Sequence, residues 1–330
     1  MSETTLETQG LTRIFGGGRT LFGKQKPEVH AVQGVDLKLH EGETLGIVGE
    51  SGCGKSTLAR MLVGLDAPTE GTIHLKGEDV TALAKGSPRG LARSIQYVFQ
   101  DPVSSLNPRK TIRRILESPM RHLLGLDAGN RKQRLDELMD AVSLRREFLD
   151  RYPHEFSGGQ AQRIGIARAL AAEADILVLD EPVSALDVSV QAQVLNLLDD
   201  LKARFGLTYV FISHDLSVVE SVSDRVAVMY FGRIVEEAAS KELFARPCHP
   251  YTRLLFDSAP VPGKKGLRGE KGLAELPDPL NPPPGCSFAP RCTRAEADCQ
   301  AKRPPLETKD EGRRAACFHP LENAVLERTA

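Results

Sequence analysis

Between the apolar run Leu45 to Val48 and a helix expected over about Ser56 to Leu65, the chain reads Gly49-Glu50-Ser51-Gly52-Cys53-Gly54-Lys55-Ser56. Glycines at this spacing let the backbone wrap a compact guest, and the amides that converge at the start of the following helix form an anion site. The lysine and the hydroxyl complete the pattern of a loop that cradles the β- and γ-phosphates of a nucleotide. Lys55 then supplies a point charge to the phosphates, and the Ser56 hydroxyl ligates magnesium. Cys53 reads as a small loop residue. Such a loop works only between a strand and a helix, so it commits the surrounding chain to a parallel sheet.

The flanking patterns agree. Strands are predicted over Ile95 to Gln100, Ile176 to Leu179, Thr208 to Ile212 and Arg225 to Tyr230, with helices at Val188 to Phe205 and Leu216 to Ser221. Alternation of this kind implies a doubly wound α/β core. Ahead of it, from about Leu6 to Leu45, apolar residues such as Val35, Leu37 and Leu39 alternate with polar ones, which predicts an antiparallel flap interrupted at Gly16-Gly17-Gly18. The stretch Ile112 to Leu149 has helical spacing and many Arg and Glu residues, and reads as a helical insert hung on the sheet. Past Tyr251, Pro260, Pro262, Pro277, Pro279 and Pro282 to Pro284 predict a stiff, irregular linker. A boundary near residue 260 then precedes a small cysteine-bearing segment.

Composition narrows the partners. The 330 residues carry a net charge of -1, without the basic field of a nucleic-acid binder. No basic segment followed by an apolar run opens the chain, and no stretch approaches the roughly 20 apolar residues of a membrane-spanning helix. The expectation is a soluble, cytosolic protein that meets any membrane through partners. Six cysteines in such a compartment argue for metal binding or isolated thiols rather than disulfides.

Two further motifs carry chemistry. Ile176-Leu177-Val178-Leu179-Asp180-Glu181 is a buried strand ending in two carboxylates, where a parallel sheet presents groups to its ligand. Asp180 is expected to hold magnesium through water and Glu181 to polarise the attacking water; a solvated strand end is the bland alternative. Phe156-Ser157-Gly158-Gly159-Gln160 precedes a helix over Ala161 to Ala172. Ser157 suits a helix cap, but two glycines at a helix start cost about 1 kcal/mol each relative to alanine. Something beyond capping must favour them.

Here the sequence resembles the ABC ATPases over roughly residues 6 to 250. Ser157, Gly158, Gly159 and Gln160 resemble the family signature, which faces ATP held by a second subunit, so two nucleotides are sandwiched between two chains. The resemblance implies a P-loop NTPase fold with a RecA-like parallel core, an antiparallel β subdomain and a helical subdomain at about 101–156. It further implies that Gly49, Ser51, Gly52, Cys53, Gly54, Lys55, Ser56 and Thr57 bind ATP, and that Ser56, Gln100 and Asp180 serve Mg2+. Catalysis would fall to Glu181, His214 and Gln100, with Gln100 the Q-loop glutamine and His214 the switch histidine at the γ-phosphate. Ser184 and Asp187 would form the D-loop. Phe15 is expected to stack on adenine, with Phe22 and His30 as alternatives because the insert Gly16 to Lys26 blurs the alignment.

A narrower resemblance rests on Val98-Phe99-Gln100-Asp101-Pro102, Ser105-Leu106-Asn107-Pro108-Arg109, Tyr152-Pro153-His154-Glu155 and His249-Pro250-Tyr251-Thr252. Together these are similar to the oligopeptide and dipeptide importer ATPases, a group that also serves nickel and glutathione. Ala161 departs from the longer polar residue usual there. The resemblance implies an ATPase at the cytoplasmic face of a bacterial inner membrane. Its partners would be a second ATPase, a paralogue rather than a copy, two transmembrane permeases and an extracytoplasmic binding protein, with no nucleic acid. The nucleotide-binding domain would span 1–255 and a C-terminal extension 256–330. In that extension Cys286, Cys292, Cys299 and Cys317 are spaced unlike common zinc knuckles. The resemblance suggests a four-iron, four-sulfur cluster, with zinc or no metal as alternatives; Cys248 is read as a bland thiol. The rival readings are a soluble ABC ATPase on nucleic acid or ribosomes, a metal-sensing regulatory ATPase and an export ATPase.

Overall fold

The computed structural model describes residues 3–17, 27–86, 88–258, 277–310 and 312–321. Phe22, Pro260, Pro262 and the expected boundary near residue 260 lie outside them.

The antiparallel flap is formed by β1 (Thr4–Gly16), β2 (Glu28–His40), β4 (Glu70–Leu75) and β5 (Glu78–Asp79), in the order β2-β1-β4-β5. Between its strands the chain enters the core through β3 (Thr44–Val48) and α1 (Lys55–Leu62), the predicted strand-loop-helix unit. Two short helices, α2 (Thr81–Gly86) and α3 (Pro88–Leu91), lead to β6 (Ile95–Val98). The helical insert follows as α4 (Ile112–His122) and α5 (Ala128–Ala141), then 3-10 turns at Arg146–Asp150 and Pro153–Glu155. The chain returns through α6 (Gly158–Leu170), β7 (Ile176–Asp180), α7 (Val188–Phe205), β8 (Thr208–Ile212), α8 (Leu216–Val222), β9 (Arg225–Tyr230) and β10 (Arg233–Ala239). It ends in α9 (Ser240–Ala245), α10 (Pro250–Asp257), α11 (Ala297–Ala301), β11 (Glu307–Asp310) and β12 (Arg313–Ala315).

The core sheet has eight strands in the order β11-β12-β10-β9-β3-β8-β7-β6. Strands β9, β3, β8, β7 and β6 pair in parallel. Successive residues of its central strands feed opposite apolar clusters, as a pleated strand requires. Leu177, Leu179, Tyr209 and Phe211 join the helical insert on one face. Ile176, Val178, Val210 and Ile212 meet α1 and the flap on the other. Burial on both faces explains why these strands read as continuous apolar runs.

Among the elements that the sequence reading did not predict, β10 and the hairpin β11–β12 extend the core sheet. Strand β10 follows β9 through a tight turn and pairs with it antiparallel. The tail then contributes the hairpin β11–β12, whose second strand pairs with β10, Glu236 opposite Ala315 and Glu237 opposite Arg314. The cysteine-bearing tail therefore shares the core sheet. Among the described residues no helix is long and apolar enough to cross a membrane.

Candidate active site

Strands β3, β6, β7 and β8 end at one rim, and the loops leaving them, with part of the flap and the turn after β9, surround a cavity of about 580 Å³. Ser51, Gly52, Gly54, Lys55, Ser56 and Thr57 form one wall, and Gln100, Glu181 and His214 another. The loop is sterically selected at Gly54, whose φ is +106° and where a Cβ would come within 2.2 Å of the Ala31 carbonyl. Lys55, 6% exposed, donates from Nζ to the carbonyls of Gly49 at 2.7 Å and Glu50 at 2.9 Å. Gly49 and Cys53 do not line the cavity; Cys53 is buried beneath the loop, where its carbonyl accepts from Gly232 N–H at 2.8 Å.

The carboxylates divide as their positions dictate. Asp180 ends β7 facing inward: Oδ1 accepts from the Ser56 hydroxyl at 3.2 Å and Oδ2 from the Tyr97 hydroxyl at 2.5 Å. Burial pushes this carboxyl up, and the bonds from Tyr97 and Ser56 pull it back. Glu181 lies in the left-handed region at φ +48°, with its N–H bonded to the Ile212 carbonyl at 2.9 Å. A non-glycine residue there stores on the order of 1 kcal/mol or more of strain, and the turn brings its side chain into the cavity. Gln100 Nε2 donates to Glu181 Oε2 at 2.8 Å, and His214 Nδ1 lies 3.1 Å from Glu181 Oε1. Glutamine, glutamate and histidine thus converge from three separate loops, an arrangement able to hold and orient a water molecule against a phosphate.

Phe15 is not brought to the cavity wall. It pairs with Val29 on the flap, with the Arg13 guanidinium 4.6 Å over its ring. Val29, His30 and Ala31 line that end instead. The reason is register: β1 and β2 shift against each other repeatedly between Thr4 and Ile14, which spacing along the chain does not reveal.

The signature forms a separate surface. Ser157 caps α6, accepting from Gln160 N–H at 3.4 Å, while Gln160 Oε1 accepts from Ser157 N–H at 3.1 Å. A Cβ on Gly159 would come within 2.4 Å of Val190 Cγ1, and one on Gly158 would reach Leu186 at 3.4 Å. Close approach to Val190 in the first turn of α7 is thus a steric reason for Gly159, whereas the Leu186 contact leaves room for a side chain at Gly158. It also places the signature against Ser184 to Asp187; Ser184 Oγ donates to the Glu181 carbonyl at 3.1 Å, and Asp187 is exposed.

All six cysteines are free thiols. Cys286, Cys292, Cys299 and Cys317 line one small cavity of about 10 Å³, together with His249 and His319. Burial raises the Cys286 and Cys292 thiols and carries Cys317 up to about 11. Donor atoms of Asp298, Cys299 and His319 lie within 4.8 Å of one another; among the described residues no three of the four thiols do. The sequence reading missed Asp298 and His319, as well as Tyr97 on Asp180. Their only signal is proximity in space.

With this geometry in place, comparison with known proteins is specific. A family profile described as "ABC transporter" matches residues 32–184, and one described as "Oligopeptide/dipeptide transporter, C-terminal region" matches 235–299. The dipeptide transport ATP-binding protein DppF of Haemophilus influenzae is 48% identical over 95% of this chain and 96% of its own. The oligopeptide transport ATP-binding protein AppF of Bacillus subtilis is 48% identical over 96% and 97%. A dimeric structure of the ATP-binding cassette MJ0796 bound to ADP and Pi, 28% identical, superposes with a TM-score of 0.63 over 71% of this chain and 98% of that one. Fold and site thus define an ABC ATPase. Within that class, the chain belongs to the ATP-binding subunits of the oligopeptide/dipeptide ABC transporter family.

Proposed function

We propose that this chain is one of two ATPase subunits powering peptide uptake from the cytoplasmic face of a bacterial inner membrane. The observation that carries the reading is the convergence of Lys55, Ser56, Gln100, Glu181 and His214 on one cavity, in a chain whose tail matches the peptide-transporter region. Lys55 and the loop amides hold the phosphates, with Gly49 and Cys53 supporting the loop from below. Ser56, Gln100 and Asp180 would hold magnesium, which would neutralise phosphate charge when bound. Glu181 takes the proton of the attacking water, and His214 contacts the γ-phosphate. Phe15 would need to turn toward adenine, and His30 is already at the wall. Ser157, Gly158, Gly159 and Gln160, adjoining Ser184 and Asp187, serve the nucleotide of a paralogous partner.

A groove of about 360 Å³ between the end of β6 and α4 supports docking of a permease helix; Ser105, Lys110, His122 and Arg168 line it. Arg168 also donates to the Ser105 carbonyl at 2.7 Å, tying the insert to α6. Two permeases and an extracytoplasmic binding protein complete the importer. The binding protein and permeases select the solute, so nickel or glutathione fits the motor equally well. The organisation is a nucleotide-binding domain over 1–255, with its helical part at about 101–156, and an extension over 256–330. Cys286, Cys292, Cys299 and Cys317, which line one small cavity, are the residues that would hold an iron-sulfur cluster, with zinc or no metal as the alternatives.

Purification from gently solubilised native membranes, with mass spectrometry and iron, sulfide and zinc analysis of the same anaerobic sample, tests both parts. Two permeases and a second ATPase are expected, with several iron atoms per chain. Recovery without permeases would sink the importer reading, and iron well below one per chain the cluster.

A further inference from the structure

The second residue of the phosphate loop is a carboxylate. Glu50 lies next to amides that must receive a highly charged anion, and an unpaired negative charge there would repel the phosphates. In the fold it is gripped from outside the loop. Arg291 donates from both terminal nitrogens to the two Glu50 oxygens at 2.8 Å each. This is the bidentate geometry in which arginine neutralises a carboxylate most strongly. The Arg291 side chain is 5% exposed. Its guanidinium lies 5.8 Å from the ring centres of both Tyr230 and Phe288 and reaches the Tyr230 hydroxyl at 3.4 Å. The Glu50 N–H is held as well, donating to the Tyr251 hydroxyl at 2.9 Å. Both anchors come from the C-terminal side: Tyr251 from the His-Pro-Tyr-Thr motif, and Arg291 from the turn between Cys286 and Cys292.

We infer that Arg291 is a positioning residue for nucleotide binding: acting through Glu50, it cancels the one carboxylate of the phosphate loop and holds that side chain in place. The inference rests on the cavity being the ATP site. It also gives the cysteine segment a physical connection to that site, because Arg291 is adjacent to Cys292 and its placement depends on how the segment folds.

The test is equilibrium binding of Mg2+ and a fluorescent ATP analogue, mant-ATP, to the full chain, alongside steady-state ATPase kinetics of the chain assembled with its partner ATPase and permeases. R291Q should weaken binding roughly tenfold and raise KM similarly, with kcat at saturating ATP altered less than twofold. R291K, which keeps the charge but not the fork, should fall between. The double variant E50Q/R291Q, which removes both charges, should recover most of the lost affinity, a rescue that a purely structural arginine would not show. Wild-type affinity in R291Q, or a double variant as weak as R291Q, overturns the inference. If R291Q does not fold, R291K against E50Q/R291K decides by the same criterion, recovery of affinity supporting the inference and its absence overturning it. K55A is the separate control: binding that survives it brings down the assignment of the cavity rather than the role of Arg291.

Discussion

Glu181 shows how much a single backbone angle decides. The acidic pair at the end of β7 is visible in the sequence, but the two carboxylates do opposite things because the chain turns left-handed between them. Asp180 stays beneath the loop, held by Ser56 and Tyr97, while Glu181 swings into the cavity between Gln100 and His214. Replacing Glu181 with Gln keeps the shape and the hydrogen-bonding reach but removes the proposed base. Mant-ATP affinity should stay within a few-fold of wild type, and phosphate release should drop by about 10²- to 10⁴-fold. Turnover near the wild-type rate would remove Glu181 from the base role. The placement of Lys55 and Ser56 on the cavity wall was legible without coordinates, because the motif is local. That of Tyr97 was not: its partner is 83 positions away, and a tyrosine in a strand ordinarily reads as core.

At the scale of elements, α6 and α7 explain a costly local choice. Two glycines open α6 where alanine would favour helix, and the structure supplies a tertiary cause in Val190, which occupies the space a Cβ on Gly159 would need. Gly159→Ala should therefore lower stability by about 1 to 3 kcal/mol through overpacking. Val190→Ala in the same chain should restore most of it. A thermal-melt double-mutant cycle reads the coupling, and additive effects would show that the contact is not the cause. Most boundaries were readable because apolar period and turn residues act locally, as in α7, predicted at Val188 to Phe205 and found there. The last strands were not: β12 is Arg313-Arg314-Ala315, with no apolar alternation, and it is a strand because β11 and β10 pair with it on either side.

For the molecule as a whole, the seam between core and tail is where stability and function meet. His249 is buried there; its Nδ1 accepts from Tyr251 N–H at 3.0 Å, and the His249 N–H donates to Glu236 at 2.8 Å. Burial holds this imidazole down at about 4. A base whose folded value is depressed stabilises the fold fully above its unfolded value of about 6.5 and loses that contribution as pH falls toward the folded value. Wild type should thus lose up to roughly 3 kcal/mol more than His249→Asn between pH 7.5 and pH 4.5. Asn keeps a cap for α10, and Glu236, common to both proteins, cancels in the comparison. Parallel pH profiles in thermal melts would count against a buried neutral histidine. What the sequence alone determined was the ATPase core, the order of its motifs and its family, since each is written in short-range spacing and apolar period. Only the tertiary structure decided that His30 rather than Phe15 reaches the cavity wall, that the tail completes the core sheet, and that Arg291 grips Glu50 across 241 positions. Those outcomes depend on strand register and on which buried charges find a partner, and neither leaves a local pattern in the chain.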